Sequence, residues 1–323
     1  MTEAPEALIT GRQALPDFDV QLAAPDLSPW IAGNIGLPGF TTFKSGTPGP
    51  HVALIGLTHG NEIAGAIVLD QLLRAQIRPA RGTLTIGFAN LAAFARFDPA
   101  HPTASRYVEE DLNRVWSEAV LNGPRRSVEL DRARQIRPLI DRVDLLLDLH
   151  SMLWPSDPLV LCGVTERGRT LARGLLAPDL IVADAGHSSG RRLIDYGPFS
   201  NADSASTAIL VEAGQHWEHA TVSISEAAVA GMLTHVGIAH RFPQRQQPHA
   251  LAEVTHTITA GSGQFGFMQA YRGGTVIERR NALIAMDGSS EIRTPYDRCL
   301  LVMPSLRPTR GHTAVRMAKF VAA

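Results

Sequence analysis

Short, nearly all-apolar runs alternate with runs of helical period over the first three quarters of the chain. Residues 51–58, 83–89 and 143–149 are continuous apolar runs, which is typical of strands that are buried on both faces. Shorter runs of the same kind lie at residues 159–164, 180–183 and 208–212. Apolar residues recur at helical spacing in 61–75, 128–140, 166–176 and 219–240. The alternation of strands and helices predicts an α/β fold, in which helices flank a mixed sheet.

The pattern changes after about residue 241. The segment 241–249 is polar and contains two prolines, which indicates a linker. Beyond it, short runs are separated by turn signals such as Gly273-Gly274 and Asp287-Gly288, and no strong helical period is visible. We therefore expect two domains. Residues 1–245 carry the mixed sheet and begin with an N-terminal extension at 1–45, and residues 246–323 form a small β-rich domain.

Composition narrows the class of protein. The chain has 323 residues and a formal net charge of −1, which does not favour nucleic acid or an anionic membrane as a partner. Its two cysteines, Cys162 and Cys299, are far apart, so we expect a reducing compartment and no disulfide framework. The first thirty residues lack a basic segment followed by an apolar one, and no apolar run approaches the length of a membrane span, about 20 residues. We expect a cytoplasmic protein. Whether it forms a homo-oligomer stays open.

Two histidines and one glutamate lie at the ends of apolar runs that are predicted to be buried strands. His59 and Glu62 lie just after the run 51–58, and His150 ends the run that begins at 143. Functional groups gather at the carboxyl ends of strands in open α/β sheets. Two histidines and one carboxylate are the ligand set of a catalytic zinc site with one open position, so we expect one Zn²⁺ per chain, although other divalent metals accept the same ligands. Asp148, on the same side of the strand as His150, could orient one of the ligands.

Further polar residues are suited to substrate binding and proton transfer. Arg106 and the segment 111–114 form a polar cluster between two predicted strands. Arginine binds carboxylates in a bidentate way, and the Asn113 amide can donate to the same group. Glu212 ends an apolar strand, where a carboxylate is positioned to act as a general base. From the residues alone, a solvated loop with surface ion pairs and a capping glutamate are the alternatives.

Four motifs in this order resemble the succinylglutamate desuccinylase/aspartoacylase family, which is related to the zinc carboxypeptidases. They are His59-Gly60-Asn61-Glu62, Arg106-Tyr107 with Asp111-Leu112-Asn113-Arg114, Asp148-Leu149-His150, and Val211-Glu212-Ala213-Gly214. The resemblance covers about residues 50–240 and extends more loosely to the C-terminal domain. It implies a carboxypeptidase-like sheet and a zinc-dependent hydrolase that cleaves the amide bond of a small N-acyl amino acid or acylated amine.

The resemblance also implies a role for each motif residue. His59, Glu62 and His150 hold zinc, and Arg106 polarises the scissile carbonyl. Asn113 and Arg114 bind a substrate carboxylate, while Asp111 holds the loop. Glu212 passes a proton from water to the leaving amine.

The chain departs from aspartoacylase at two substrate positions. Ala202 stands where that enzyme has a further arginine, for which Arg191 or Arg192 could substitute. The C-terminal tyrosine of aspartoacylase has only Tyr271 and Tyr296 as candidate counterparts. Two other histidines are weaker candidates: His187 could line the site entrance, and His216 could contact a ligand residue or the substrate.

Three functional hypotheses follow. The first is the deacylase, which could also hydrolyse esters. The second is a zinc carboxypeptidase that acts on short peptides. The third is a catalytically silent binding protein on the same fold, which the presence of the three ligands and of Glu212 disfavours.

Overall fold

The structure is a computed structural model that describes residues 9–10, 15–186, 189–238 and 249–322. These residues divide into two compact units. The larger contains Asp19–Ser151 and Pro158–His249, and the smaller contains Met152–Asp157, the C-terminal segment from Ala250 and the residues before Asp19. The domain boundary predicted at 245/246, most of the predicted linker 241–249, and His187 lie outside the described residues.

The strands, in chain order, are β1 (Ile9–Thr10), β2 (Phe40–Lys44), β3 (His51–Gly56), β4 (Thr83–Phe88), β5 (Leu145–Met152), β6 (Leu159–Leu161), β7 (Leu180–Ala183), β8 (Thr207–Gln215), β9 (Ala250–Thr259), β10 (Phe265–Phe267), β11 (Val276–Ile277), β12 (Leu283–Asp287), β13 (Ser290–Arg293), β14 (Cys299–Val302) and β15 (Thr313–Val321). The α-helices are α1 (Ile63–Arg74), α2 (Leu91–Phe94), α3 (Glu118–Asn122), α4 (Val128–Ile140), α5 (Glu166–Arg173), α6 (Gly197–Ser200) and α7 (His219–His235).

The sheet of the larger unit is mixed, in the strand order β7-β6-β8-β5-β3-β4-β2. Strand β3 lies between β4 and β5 and is parallel to both, whereas β2 is an antiparallel edge strand next to β4. Strand β6 pairs in parallel with β7 and antiparallel with β8. The central strands are buried along almost their whole length, as their continuous apolar runs predict. The predicted α/β fold with a mixed sheet is confirmed.

Helix α1 packs against β3, and a glycine allows it to approach β5 closely. A Cβ atom built on Gly65 would lie 2.8 Å from Cβ of Leu149, nearer than two such carbons can pack. Without a side chain at position 65, the first turn of α1 can lie directly beside the strand that carries His150. The approach therefore brings the residue that precedes α1, Glu62, towards that histidine.

The smaller unit is built from antiparallel strands. Strand β9 pairs with β15, β15 with β14 and β14 with β11, while a second sheet has the order β1-β10-β12-β13. Its core contains Phe265, Phe267 and Tyr271, whose rings meet edge to face, and Tyr296 packs against this core. Both tyrosines considered as counterparts of the aspartoacylase tyrosine thus take part in packing this unit. The predicted small β-rich C-terminal fold is confirmed.

In the described part of the chain, none of the helices combines the length and the apolar character that crossing a bilayer requires.

Candidate metal and substrate site

Three buried side chains converge at the carboxyl ends of β3 and β5. Nδ1 of His59 lies 2.7 Å from Oε1 of Glu62, and Nδ1 of His150 lies 3.0 Å from Oε2 of the same carboxylate. One ligand atom from each residue fits within 4.8 Å of the other two. All three side chains are at most 4% exposed. Two imidazole nitrogens and a carboxylate at this spacing could hold one metal ion and leave a coordination position open.

The convergence follows from strand pairing. Ile55 of β3 is paired with Asp148 of β5, so the two parallel strands end at the same edge of the sheet. The chain leaves β3 through Leu57, whose φ of 57° is rare for a residue with a branched side chain. This left-handed residue stands two positions before His59, in the turn that carries the chain back over the edge of the sheet.

Each imidazole contacts a second carboxylate through its other nitrogen. Nε2 of His150 lies 2.8 Å from Oδ2 of Asp148, and the Thr58 hydroxyl donates to Oδ1 of that aspartate at 3.0 Å. Nε2 of His59 lies 2.9 Å from Oδ1 of Asp111. In both rings Nδ1 faces Glu62 and Nε2 faces the second carboxylate, and Nη2 of Arg106 also lies 3.0 Å from Nε2 of His59. Asp148 thus lies where it can orient His150, and Asp111 contacts a histidine in addition to the loop.

The buried carboxylates of this cluster favour their ionised form. Burial alone would raise the pKa of Glu62, but the imidazoles of His59 and His150 hold it well below the usual value. Burial likewise opposes ionisation of Asp111, whereas His59 and Arg106 lower its pKa well below the usual value. An ionised carboxylate is the form that binds a metal cation.

Arg106 lies beside the three convergent residues. Its Nη2 donates to Oδ2 of Asp111 at 3.0 Å, and its Nη1 lies 3.3 Å from Oε1 of Glu62. About a third of the side chain remains exposed, so the guanidinium can meet a molecule that enters the site. Arg106 does not form the alternative surface ion pair with Glu110, because Glu110 pairs with Arg125.

The segment after Asp111 forms one turn of 3-10 helix, Leu112–Arg114, which Asp111 caps by accepting the Asn113 N–H at 2.8 Å. Asn113 is buried, and its Oδ1 accepts the N–H of Leu193 at 2.8 Å. This bond fixes the orientation of the amide, so its NH₂ group is the remaining side-chain donor. Arg114 is half-buried and donates to the Asn113 carbonyl at 2.7 Å.

Glu212 lies inside β8, opposite Leu159 of β6, and is 7% exposed. Burial lowers the pKa of Arg106, but nearby carboxylates more than offset it, and Glu212 is one of them. Glu212 is therefore close enough to the guanidinium to act on it electrostatically.

His216 is buried one contact away from the convergent residues. Its Nδ1 lies 2.7 Å from the hydroxyl of Ser151, whose N–H donates to Oε2 of Glu62 at 3.0 Å. Burial lowers the pKa of His216 to about 3, so the ring is neutral. In this structure its Nδ1 contacts Ser151, which in turn donates to Glu62.

Arg192 is bound within the protein and cannot take the place of the missing arginine without breaking buried ion pairs. Its Nη1 donates to Asp184 at 2.9 Å and its Nε donates to Asp195 at 2.7 Å. Arg191 is the exposed member of the pair, and its carbonyl accepts the N–H of Trp116 at 3.2 Å, close to Arg114. The Arg191 guanidinium donates through Nη1 to the Asp195 carbonyl at 3.1 Å, so it is also held by the loop although its side chain is exposed.

Glu129 is a polar residue near this site that the sequence analysis missed. It lies on α4, is fully buried, and accepts backbone N–H groups of the segment 108–110. In the sequence, Glu129 is one of several charged residues of the helical run 128–140. Only the position of this helix in the fold distinguishes it from a charge on the surface.

Comparison with known proteins agrees with these motifs. Residues 48–177 match the model of the succinylglutamate desuccinylase/aspartoacylase catalytic domain. This segment is about two fifths of the chain, and it resembles that catalytic domain.

Two relatives and one solved structure illustrate how far the likeness extends. The chain is 37% identical over 109 residues to a probable aspartoacylase of Nostoc sp., an alignment that covers 31% of this chain and 34% of that protein. It is 30% identical over 109 residues to an N-acyl-aromatic-L-amino acid amidohydrolase (carboxylate-forming) of Danio rerio, covering 31% and 32% of the two chains. Each alignment thus spans only about a third of the relative.

The crystal structure of a succinylglutamate desuccinylase from Vibrio cholerae superposes with a TM-score of 0.68, covering 88% of this chain and 86% of that one. At 17% identity, this likeness shows a shared fold.

Proposed function

We propose that this protein is a zinc-dependent amidohydrolase that cleaves the amide bond of a small N-acyl amino acid or a related acylated amine. The observation that carries the proposal is the convergence of Nδ1 of His59, Nδ1 of His150 and the Glu62 carboxylate on one point beside Arg106. The names of the relatives, aspartoacylase and N-acyl amino acid amidohydrolase, support the same reaction class.

The donor set fits a zinc ion. Both imidazoles have Nε2 turned to a carboxylate, which leaves Nδ1 for a metal, and Glu62 presents both of its oxygens between them. Zinc accepts such nitrogen and oxygen ligands and keeps a position for water or substrate. When bound, the metal supplies a Lewis acid that lowers the pKa of water and polarises a carbonyl.

The other residues of the site would then act on the substrate. Arg106 would stabilise the negative charge that develops on the carbonyl oxygen as the amide carbon becomes tetrahedral. Glu212 would take a proton from the attacking water and give it to the nitrogen as the C–N bond breaks. Asn113 and Arg114 would bind a carboxylate of the substrate, since an amide NH₂ and a guanidinium are donors suited to it.

Metal content and a deacylation screen test the proposal together. We expect about one zinc per chain in the purified protein, and release of an amine from one N-acyl amino acid that a chelator abolishes and added zinc restores. The matched control is Glu212→Gln, which should retain zinc and lose turnover. Cleavage of short peptides but of no acylated amino acid would favour the carboxypeptidase hypothesis over the deacylase. A protein that binds no metal after reconstitution would refute the site.

A further inference from the structure

One buried carboxylate holds the middle of the segment that carries the proposed substrate residues. Oε1 of Glu129 accepts the N–H of Val108 at 2.6 Å, and Oε2 accepts those of Glu109 and Glu110 at 3.1 and 3.2 Å. The side-chain NH₂ of Asn90 donates to Oε1 at 3.1 Å. Four donors thus meet one side chain that has no exposed surface.

Side chains of the segment 108–110 also form hydrogen bonds with the beginning of α4. Oε2 of Glu109 accepts the N–H of Val128 at 2.6 Å, and the Ser127 hydroxyl donates to Oε1 of Glu110. Ser127 in turn caps α4 by accepting the N–H of Leu130 at 3.0 Å. The loop and the helix N-terminus are therefore joined from both sides, and neither can shift without breaking the bonds of the other.

These hydrogen bonds hold the chain between two of the proposed substrate residues, Arg106 and Asn113. The three N–H groups lie between Arg106, whose guanidinium contacts Asp111, and Asn113, whose amide oxygen is fixed by Leu193. Only a few residues separate the held segment from either end. A displacement of residues 108–110 would therefore move Arg106 and Asn113 relative to each other.

We propose that Glu129 is a positioning residue of the enzyme, which sets the distance between Arg106 and the Asn113–Arg114 pair and thereby the preference for substrates with a free carboxylate. This inference rests on the proposed function, since it assigns Glu129 the task of holding residues that contact the substrate. Glu129 itself is turned to the backbone and contacts none of the three metal-binding candidates by any hydrogen bond in the described chain.

The donor pattern requires a carboxylate. Two donors meet each oxygen of Glu129, and an ionised carboxylate has acceptor sites for all four. Glutamine keeps one carbonyl oxygen and turns an NH₂ group towards donors, which leaves two N–H groups without an acceptor. Glu129→Gln is thus almost isosteric, and its effect comes from the lost acceptor.

The test compares Glu129→Gln with Arg134→Gln. Arg134 lies on the same helix and donates to the carbonyls of Leu121 and Gly123, away from residues 106–114. Arg134→Gln therefore removes part-buried hydrogen bonds of α4 and none of those that hold residues 108–110. Two quantities are measured on the zinc-loaded protein: amide hydrogen exchange of peptides that cover 106–114, and the ratio of kcat/KM for the preferred N-acyl amino acid to that for its C-terminal amide.

In Glu129→Gln we expect exchange of the loop amides to rise at least tenfold and the kcat/KM ratio to fall at least tenfold, with zinc content unchanged. In Arg134→Gln both should stay near the wild-type values, even if the melting temperature falls. A merely structural role of Glu129 would lower the melting temperature and leave the ratio unchanged, because the ratio does not depend on the fraction of folded enzyme.

The inference is overturned if the loop amides stay protected in Glu129→Gln, or if they exchange faster while the ratio keeps its wild-type value. Where Glu129→Gln yields no folded protein, Glu129→Asp takes its place with the same expectations, since the shorter side chain cannot reach all four donors. A wild-type protein that cleaves no acylated substrate would refute the proposed function. The exchange measurement would then still decide whether Glu129 holds the loop.

Discussion

Asp148 offers a test of how the protein prepares His150 for a metal. The carboxylate has no exposed surface, accepts from Nε2 of His150 at 2.8 Å, and accepts from the Thr58 hydroxyl at 3.0 Å. Asp148→Asn keeps the shape and one acceptor oxygen but removes the negative charge. Loss of such an outer carboxylate typically weakens metal affinity about 10- to 100-fold, since the imidazole becomes less basic and its orientation less fixed. A loss of this size corresponds to about 1.4 to 2.8 kcal/mol of binding free energy.

The assay is a competition titration of zinc against a chelator of known affinity, at one pH and one salt concentration, for wild type and variant. Asp184→Asn is the matched control, because Asp184 is also a buried carboxylate but pairs with Arg192 at 2.9 Å. Removing one partner of that buried pair should lower the free energy of unfolding and leave the zinc affinity unchanged. If Asp148→Asn binds zinc as tightly as wild type, or if both variants weaken binding equally, Asp148 does not act through His150.

Three other substitutions test separate parts of the site. Glu212→Gln should retain one zinc and lower kcat at least a hundredfold, the usual range for a general base, and metal analysis with steady-state kinetics measures both; a near-normal rate would remove Glu212 from proton transfer. Arg114→Ala should raise KM more than it lowers kcat, because a carboxylate contact formed in the ground state is lost; an unchanged KM would contradict that role. Gly65→Ala should destabilise the fold by up to about 2 kcal/mol in urea unfolding, since the new Cβ would lie 2.8 Å from Cβ of Leu149 and the overpacking cost of about 1–3 kcal/mol is only partly offset by a gain of about 1 kcal/mol in helix propensity; a more stable variant would mean that α1 moves away freely.

Much of the fold could be predicted from the apolar runs and from the helical spacing of apolar residues. Where the observed bounds of a strand differ from the predicted ones, the cause is the same. Helix α4 has the bounds that its period predicts, Val128–Ile140. Strand β5 continues to Met152, past the predicted end of its apolar run at residue 149, and β8 likewise continues to Gln215. In both strands, a polar side chain ends the apolar pattern while the backbone remains part of the strand. Site residues such as His150 and Glu212 therefore shorten a predicted strand.

The candidate site could be predicted only where its residues are close in sequence or form a motif. The contact between His59 and Asp111 joins positions 52 apart, and the pairing of Arg192 with Asp184 and Asp195 depends on a loop that the sequence pattern does not orient. The structure therefore adds which carboxylate meets which imidazole, and it withdraws Arg192 from the candidates for substrate binding. The cytoplasmic location stays a prediction.

The charges around the three candidate ligands favour a cation at their centre. Glu62, Asp111 and Asp148 lie within hydrogen-bond distance of the two imidazoles, and Arg106 is the cation that contacts two of these carboxylates. This part of the site has an excess of carboxylates over guanidinium groups. Burial lowers the pKa of His150, but the carboxylates of Asp148 and Glu62 raise it well above its usual value. Isolated buried charges are costly, and a divalent cation would balance this excess. The buried carboxylates of Glu62, Asp111 and Asp148, which would be costly without a cation, therefore favour a metal ion at this point.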